Sequence, residues 1–339
     1  MTQSLRVGIA GYGLAGRYFH APLLKGCGFD VVGVLTNNSE RARHAVEDFP
    51  NVKITSTIDE LIDLRLDLLV VASANIVHAE QAIAGIKAGT PVVIDKPMGL
   101  SLAQTKMIVR TSESEGVPIT VFFNRRWDSD ALTVKKIVNE GLLGDVFRVD
   151  SRFERFRPSL ATSTWREKYS PEEGGGLLLD LQPHLISTAL DWFGPAKLGY
   201  SSVRSIRGGG DDDILLVLNH ESGVDSYLSA SAIIGAPGPR LRVNGSKGTL
   251  IINELDPQES LLRSGNYPEG GRWNMPTASK ATLHRGDEVI DVKGENGNYA
   301  LFYELVKGAL AGTNPWPVST DDALAVASLI DQARVDSVR

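Results

Sequence analysis

The sequence predicts an α/β protein in two parts. Residues 1–123 read as a doubly wound parallel sheet, and residues 124–339 as an α+β domain with a large, mainly antiparallel open sheet. Three observations carry this. Short apolar runs alternate with helix-like stretches through the first third of the chain. A glycine-rich turn sits at the first strand-to-helix junction. Beyond Phe123 strand-like segments follow one another without regular helices between them. Strands alternating with helices imply parallel pairing through right-handed crossovers, whereas runs of strands imply antiparallel pairing.

Each element has its own signal. "LRVGIAG" is a buried strand, followed by a helix from Ala15 to Lys25. "DVVGVLT" is the second strand, with a helix from Ser39 to about Phe49. "VKIT" precedes a helix that begins at Thr57. "LDLLVVASA" is nearly all apolar, as a strand covered on both faces should be. Ile76 to Ala88 has helical spacing, "TPVVID" is the next strand, and Ser101 is a suitable N-cap for a helix to Glu115. "PITVFF" closes the series. After a helix around Ser129 to Glu140 come "DVFRVDSRFERF", "AKLGYSSVRSI", "DILLVLNH", "VDSYLSASAII", "PRLRVNG" and "GTLIIN". "DSYLSASA" alternates, so one face packs on helices and the other meets solvent or a partner. Residues 256–298, rich in Gly, Pro and Asn, read as loops. Helices near Tyr299 to Ala311 and Thr320 to Asp336 end the chain.

Composition narrows the function. A chain of 339 residues is comfortable for two domains. Its formal charge of −6 gives no basic footprint for nucleic acid. The single cysteine, Cys27, allows no intrachain disulfide, which suits a cytoplasmic protein. The N-terminal stretch has no signal-peptide architecture, no apolar run approaches a membrane span, and no metal-ligand spacing appears.

The turn "GYGLAG" places Gly11, Gly13 and Gly16 in GxGxxG spacing, with Tyr12, Leu14 and Ala15 between. Preceded by a strand and followed by a helix, it reads as the dinucleotide loop of a Rossmann fold. Gly11 permits the turn, Gly13 lets the backbone approach a pyrophosphate, and Gly16 lets the helix pack close. Free N–H groups and the helix dipole then face the phosphates. The second strand ends in Thr36, Asn37 and Asn38, with no carboxylate to repel a 2′-phosphate, and Arg41 follows where it can pair with one. The expectation is NADP, with NAD as the alternative and a merely solvated Arg41 as the plain reading. Ser73, Asn75 and His78 follow the fourth strand and can line the cofactor; Asn75 can equally be a helix N-cap. Asp95 and Lys96 end the fifth strand, at the edge where ligands of such sheets bind; the alternative for Lys96 is a surface lysine.

In "GGGLLLDLQPHL" an aspartate and a histidine stand four apart, at Asp180 and His184, so on a helix they share a face. Pro183 sits where a helix's first turn tolerates it, which places the helix start near Asp180. The three glycines before it let the chain approach a cofactor or substrate. A capping Asp and a core His are the alternative.

The loop "GYGLAG", the "DKP" at Asp95–Pro97 and "GGGLLLDLQPH", in this order, resemble the glucose–fructose oxidoreductase/inositol dehydrogenase/MocA family over essentially the whole chain. "FFNRRWDSD", "RFERFRP" and "TWREKY" look like its subgroup of NADP-dependent scyllo-inositol 2-dehydrogenases. Two departures are visible: Asp95 stands where the family mostly has Glu, and Asn37 or Asn38 where members of the subgroup often have Arg. The resemblance implies hydride transfer between a secondary alcohol and nicotinamide, with Lys96, Asp180 and His184 as the catalytic set. His184 suits the base, because imidazole titrates near neutrality. Asp180 accepts a hydrogen bond from substrate or orients the proton-transfer group. Lys96 steadies charge on the reacting oxygen. Asn124 is expected at the cofactor, and Arg126, Trp127, Arg157 and Trp165 at a polyol or sugar substrate, with Arg125, Arg166 and Tyr299 nearby. An interdomain salt bridge in the "NRRW" run, surface charge, or packing are the competing roles. The resemblance also implies a homodimer or homotetramer through the C-terminal sheet. A cofactor-sensing regulator and an NAD-assisted glycoside hydrolase are the other functions that such a chain can serve.

Overall fold

The structure, a computed structural model, describes residues 4–160, 169–170 and 173–336. The chain forms two compact units. The first contains Met1–Phe122, Gln258–Met275 and Asn298–Leu324; the second contains Phe123–Pro257, Pro276–Gly297 and Ala325–Arg339.

The first unit is built on six strands: β1 (Arg6–Ala10), β2 (Asp30–Leu35), β3 (Lys53–Thr55), β4 (Leu68–Val71), β5 (Val92–Asp95) and β6 (Ile119–Phe122). All pairings are parallel, in the order β3-β2-β1-β4-β5-β6. That is the dinucleotide-binding strand order, whose reversal at β1/β4 opens a crevice at the strands' carboxyl ends. β4 and β5 are buried along their whole length, which explains their continuous apolar runs. The helices are α1 (Ala21–Gly26), α2 (Ser39–Asp48), α3 (Ile58–Ile62), α4 (His78–Lys87) and α5 (Leu102–Glu115). Ser101 caps α5 as expected, its hydroxyl accepting from the Gln104 N–H at 3.2 Å.

Two expectations change here. The predicted helix Ala15–Lys25 begins as a π-helix over Gly16–His20, whose closing bond runs from the Ala21 N–H to the Gly16 carbonyl. Pro22 supplies the reason. It has no N–H for the carbonyl four residues before it, so the ladder is interrupted there and re-forms as α1. The second change is the domain division. Residues 298–324, expected in the second domain, pack in the first unit. Tyr299, Phe302 and Tyr303 are fully buried, and Phe302 meets Phe122 edge-on with ring centroids 4.8 Å apart. Tyr299 is therefore a core residue.

His20, fully buried on the π-helix, lies 2.6 Å from the Tyr303 hydroxyl through Nδ1. Tyr303→Phe keeps the ring and leaves that nitrogen without its partner. The expected loss of unfolding free energy is about 1–3 kcal/mol, read from denaturant titration; an unchanged midpoint would show that the bond contributes nothing.

The second unit carries β7 (Val146–Glu154), β8 (Ala196–Arg204), β9 (Asp213–His220), β10 (Asp225–Ser231), β11 (Leu241–Gly245), β12 (Gly248–Ile252), β13 (Ala281–Arg285) and β14 (Glu288–Val292). Their order is β14-β13-β12-β11-β7-β10-β9-β8, and only β7 and β10 pair in parallel. Burial alternates along β9 and β10. Val149, Leu216, Leu218, Leu228, Leu241 and Val243 are buried, and Val149, Leu241 and Val243 join Val134, Ile137 and Phe193 from helices in one core. The opposite face carries charge: Arg148 and Arg152 hold Asp150 at 2.8 and 3.1 Å, and Arg148 lies over the Tyr227 ring.

The loop expected over 256–298 contains a helix, Gln258–Arg263, and the hairpin β13–β14. "ATLHRGDEVIDV" held the signal. Arg285 pairs with Glu288 across a Gly286-Asp287 turn, with Gly286 at φ +61°, the turn chemistry of a tight hairpin. The surrounding glycines and prolines masked it.

Candidate functional site

The expected site residues fall in both units, Gly11–Lys96 in the first and Asn124–His184 in the second. In the first, β1 runs into the glycine loop. Gly11 adopts φ +96°, and a Cβ there would lie 2.6 Å from Ser73 Cα. At Gly16 a Cβ would overlap the Gly11 carbonyl oxygen, backbone against backbone. Gly13 differs. A Cβ there would meet only the Arg41 guanidinium, at 3.7 Å. Internal packing therefore demands glycine at positions 11 and 16 but not at 13. Position 13 is open on the side where a phosphate would approach, with a cation beside it. The residues present fit a dinucleotide.

Around this loop the expected residues divide. The Thr36 hydroxyl accepts from the Asn38 N–H, and the Asn38 side chain caps α2 by accepting from the Arg41 N–H at 3.0 Å. Asn37, Asn38 and Arg41 are exposed. Tyr12, by contrast, is buried, and its hydroxyl donates to Asp48 at 2.9 Å. Only its backbone faces the loop's function; burial, followed by the Asp48 charge, raises its phenol far above the ordinary range. The Ser73 hydroxyl donates to Gln81 at 2.7 Å. Asn75 opens a short 3₁₀ turn ahead of α4.

His78 was expected to line the cofactor. Its ring is fully buried instead, with Nδ1 2.9 Å from the Pro97 carbonyl and Nε2 3.2 Å from the Ser73 carbonyl. It fastens the loop after β4 to the loop after β5. Burial pushes its imidazole below the ordinary value, against the opposing charge of Asp95.

Asp95 is likewise turned inward, 3.9 Å from His20 Nε2. That separation is beyond hydrogen-bond range. Burial would raise the carboxyl; His20, then Lys96 and His78, outweigh it and hold Asp95 below the usual carboxylate range. Asp95 is thus a buried carboxylate at the end of β5, directly before Lys96.

In the second unit Asn124 and Trp127 are buried in a 3₁₀ turn spanning Asn124–Trp127. Arg126, expected at the substrate, is buried; its Nε donates to Ser187 at 2.8 Å and its guanidinium lies 3.9 Å from Asp191. Both partners belong to the helix Gln182–Phe193, so Arg126 anchors the element that carries His184. Arg125 pairs with Asp128 at 3.2 Å and stacks over Phe153. Arg157 is exposed, with its N–H donating to the Ala232 carbonyl at 2.6 Å. Trp165 and Arg166 lie outside the described residues.

Asp180 and His184 do not share one continuous helix. Leu177–Asp180 forms a short helix, Leu181 interrupts it, and Gln182–Phe193 follows with Pro183 in its first turn. Pro183 offers no N–H to the Leu179 carbonyl, so the hydrogen-bond ladder stops there. His184 is buried and Asp180 half-buried. Two of the preceding glycines are occupied by the chain itself: at Gly175 a Cβ would overlap the Tyr169 carbonyl oxygen. Gly176, at φ +88°, faces the Asp211 carboxylate, and a Cβ there would overlap it. Sequence reading passed over Asp211; its signal was the second glycine triplet, Gly208–Gly210, directly before it.

Among the described residues no group of three or more His, Cys, Asp or Glu could hold a metal ion, and no helix is long and apolar enough to cross a membrane.

Known proteins agree with this architecture. Residues 5–123 match the oxidoreductase family's NAD-binding Rossmann fold, and residues 131–251 match the GFO/IDH/MocA C-terminal domain. The chain is 33% identical to the oxidoreductase YdgJ of Escherichia coli over 336 residues, 98% of this chain and 96% of YdgJ. It is 30% identical to IolW of Bacillus subtilis, a scyllo-inositol 2-dehydrogenase (NADP(+)), over 99% of this chain and 94% of IolW. Among solved structures, the YPO2259 oxidoreductase of Yersinia pestis superposes with a TM-score of 0.88 at 32% identity, covering 99% of this chain and 96% of that one. The chain belongs to the GFO/IDH/MocA family of NAD(P)-binding oxidoreductases.

Proposed function

We propose that the protein is a dehydrogenase or reductase acting on a secondary alcohol of a cyclitol or sugar, inositol-like in class, with NADP favoured over NAD. The observation that carries the cofactor reading is the Arg41 guanidinium beside Gly13, just beyond a second strand whose C-terminal end, Thr36–Asn38, bears no carboxylate. A 2′-phosphate would pair with Arg41, and the backbone of Gly11–Gly16 would hold the pyrophosphate. The substrate class draws support from the likeness to IolW.

When bound, the nicotinamide provides the hydride acceptor or donor. Lys96 donates a hydrogen bond to the reacting oxygen and stabilises charge developing there. His184 takes the hydroxyl proton during oxidation and returns it during reduction. Asp180 accepts a hydrogen bond from the substrate hydroxyl or orients that transfer. Asn124, Trp127, Arg157 and Trp165 are assigned to ligand contact, whereas Arg126 is assigned to anchoring the His184 helix. Self-association is placed on the charged outer face of the second unit's sheet; light scattering at micromolar concentration would give a dimer or tetramer mass, and a single-chain mass would refute it.

Purified protein with NADP or NAD and a panel of inositols and aldoses should change absorbance at the reduced-nicotinamide band, more efficiently with NADP. Arg41→Ala should erase most of the preference for NADP. Absence of turnover with every polyol and sugar would overturn the activity, and equal efficiency with both cofactors would overturn the preference.

A further inference from the structure

The short helix Leu177–Asp180 presents a problem of local chemistry. The first N–H groups of a helix have no partner inside it, and a local N-cap side chain ordinarily supplies one. Here the N-cap is Gly176, which has no side chain. The acceptors come from far along the chain. Asp211 receives the Leu177 N–H on its backbone carbonyl at 2.9 Å, and the Leu178 N–H on its carboxylate Oδ1 at 2.6 Å.

Two glycine triplets make this approach possible. Gly176 gives up its side-chain space to the Asp211 carboxylate. Gly210 lies so close that a Cβ on it would stand 3.0 Å from the Gly176 nitrogen. The arrangement is crowded: Asp211 is 7% exposed, and its Oδ2 has no hydrogen-bond partner among the described residues.

We infer that Asp211 is the positioning residue that fixes the turn carrying Asp180, acting through the backbone of Leu177 and Leu178. The inference rests on the reading of Asp180 as a site residue. Asp180 is the last residue of this four-residue helix, and its own N–H bonds to the Gly176 carbonyl at 3.1 Å. Only one turn separates the Asp211 cap from the Asp180 side chain. Loss of the cap therefore frees the turn at the end where Gly174 and Gly176, both at positive φ, offer least resistance to rearrangement.

The electrostatic setting makes the cap responsive to protons. Burial pushes the Asp211 carboxyl up to about 6, against the Leu178 N–H and the charge of Arg334. Arg334 is itself shared with Asp331 at 4.0 Å, and the neighbouring Asp212 is held by Arg207 at 2.9 Å. Above that midpoint the bond to Leu178 is charge-assisted; below it the neutral acid gives a weaker one.

The test uses the full chain and two variants. In Asp211→Ala, amide exchange at Leu178 should accelerate by about tenfold, the size of a lost side-chain cap. The kcat for a cyclitol should fall by a similar factor, while the Kd for NADPH stays within about twofold. Asp211→Asn keeps an acceptor for Leu178 and should recover most of both losses. The Leu178 amide resonance should titrate with a midpoint near 6 in the wild type and not in Asp211→Asn. Unchanged exchange and kcat in Asp211→Ala would overturn the inference, as would loss of NADPH binding in parallel with kcat. If Asp211→Ala fails to fold, the titration and kinetics of Asp211→Asn decide. If the wild type turns over no cyclitol or sugar, the dehydrogenase reading fails by itself, and Leu178 exchange still decides whether Asp211 holds the turn.

Discussion

His184→Ala and Lys96→Ala should each reduce kcat for polyol oxidation by about 10²–10⁴-fold, the range for a lost general acid–base group. The two should differ in character. His184 is assigned to proton transfer, so its loss should fall on kcat with little change in the Kd for NADPH, because the glycine loop belongs to the other unit. Lys96 is assigned both to the reacting oxygen and to the cofactor edge, so its loss should weaken cofactor binding as well. Removing both should cost far less than the product of the single losses, since residues that act as a unit are not additive. Steady-state kinetics with each variant, paired with cofactor titration by fluorescence, measures this. Activity within a few-fold of wild type in either variant would remove that residue from the mechanism.

Gly16→Ala should be the most damaging change in the nucleotide loop, and Gly13→Ala the most informative. At Gly16 the added methyl meets the carbonyl oxygen of Gly11. A backbone atom cannot rotate away, so loop and π-helix must shift together. The expected cost is about 1–3 kcal/mol of stability, as for other overpacked sites, with cofactor affinity lost as the loop distorts. At Gly13 the methyl meets only the flexible Arg41 side chain at ordinary contact distance. Stability should therefore hold within about 0.5 kcal/mol, as for a surface substitution, while cofactor affinity falls because the methyl occupies the phosphate's approach. Thermal melts with and without NADPH separate the two. A Gly13→Ala protein that binds NADPH at wild-type affinity would show that the backbone there makes no close approach.

The contrast between these glycines shows where local pattern suffices. GxGxxG spacing after a strand identified the loop, because its turn depends on neighbours a few residues away. The cap at Ser101, the six parallel strands and the alternation in β9 and β10 were legible for the same reason: each is set by dihedral preference or by a periodicity within one element. The β13–β14 hairpin was also written locally, in "RGDE", but under a composition that reads as loop.

What the sequence by itself determined is the pair of architectures, the family resemblance and the residue types available for chemistry. Tertiary structure alone decided which of those residues face outward and which are spent holding the fold. His78, Tyr12 and Asp95 carry functional groups in functional positions, yet their partners are Pro97 and Ser73, Asp48, and His20. The His20–Tyr303 contact spans 283 residues and the Asp211 cap 33. No periodicity reports such pairs, because a buried polar group takes whatever partner the packed chain brings within about 3 Å. Gly176 is the clearest case: sequence showed that something must come close, and only the folded chain showed that it is Asp211.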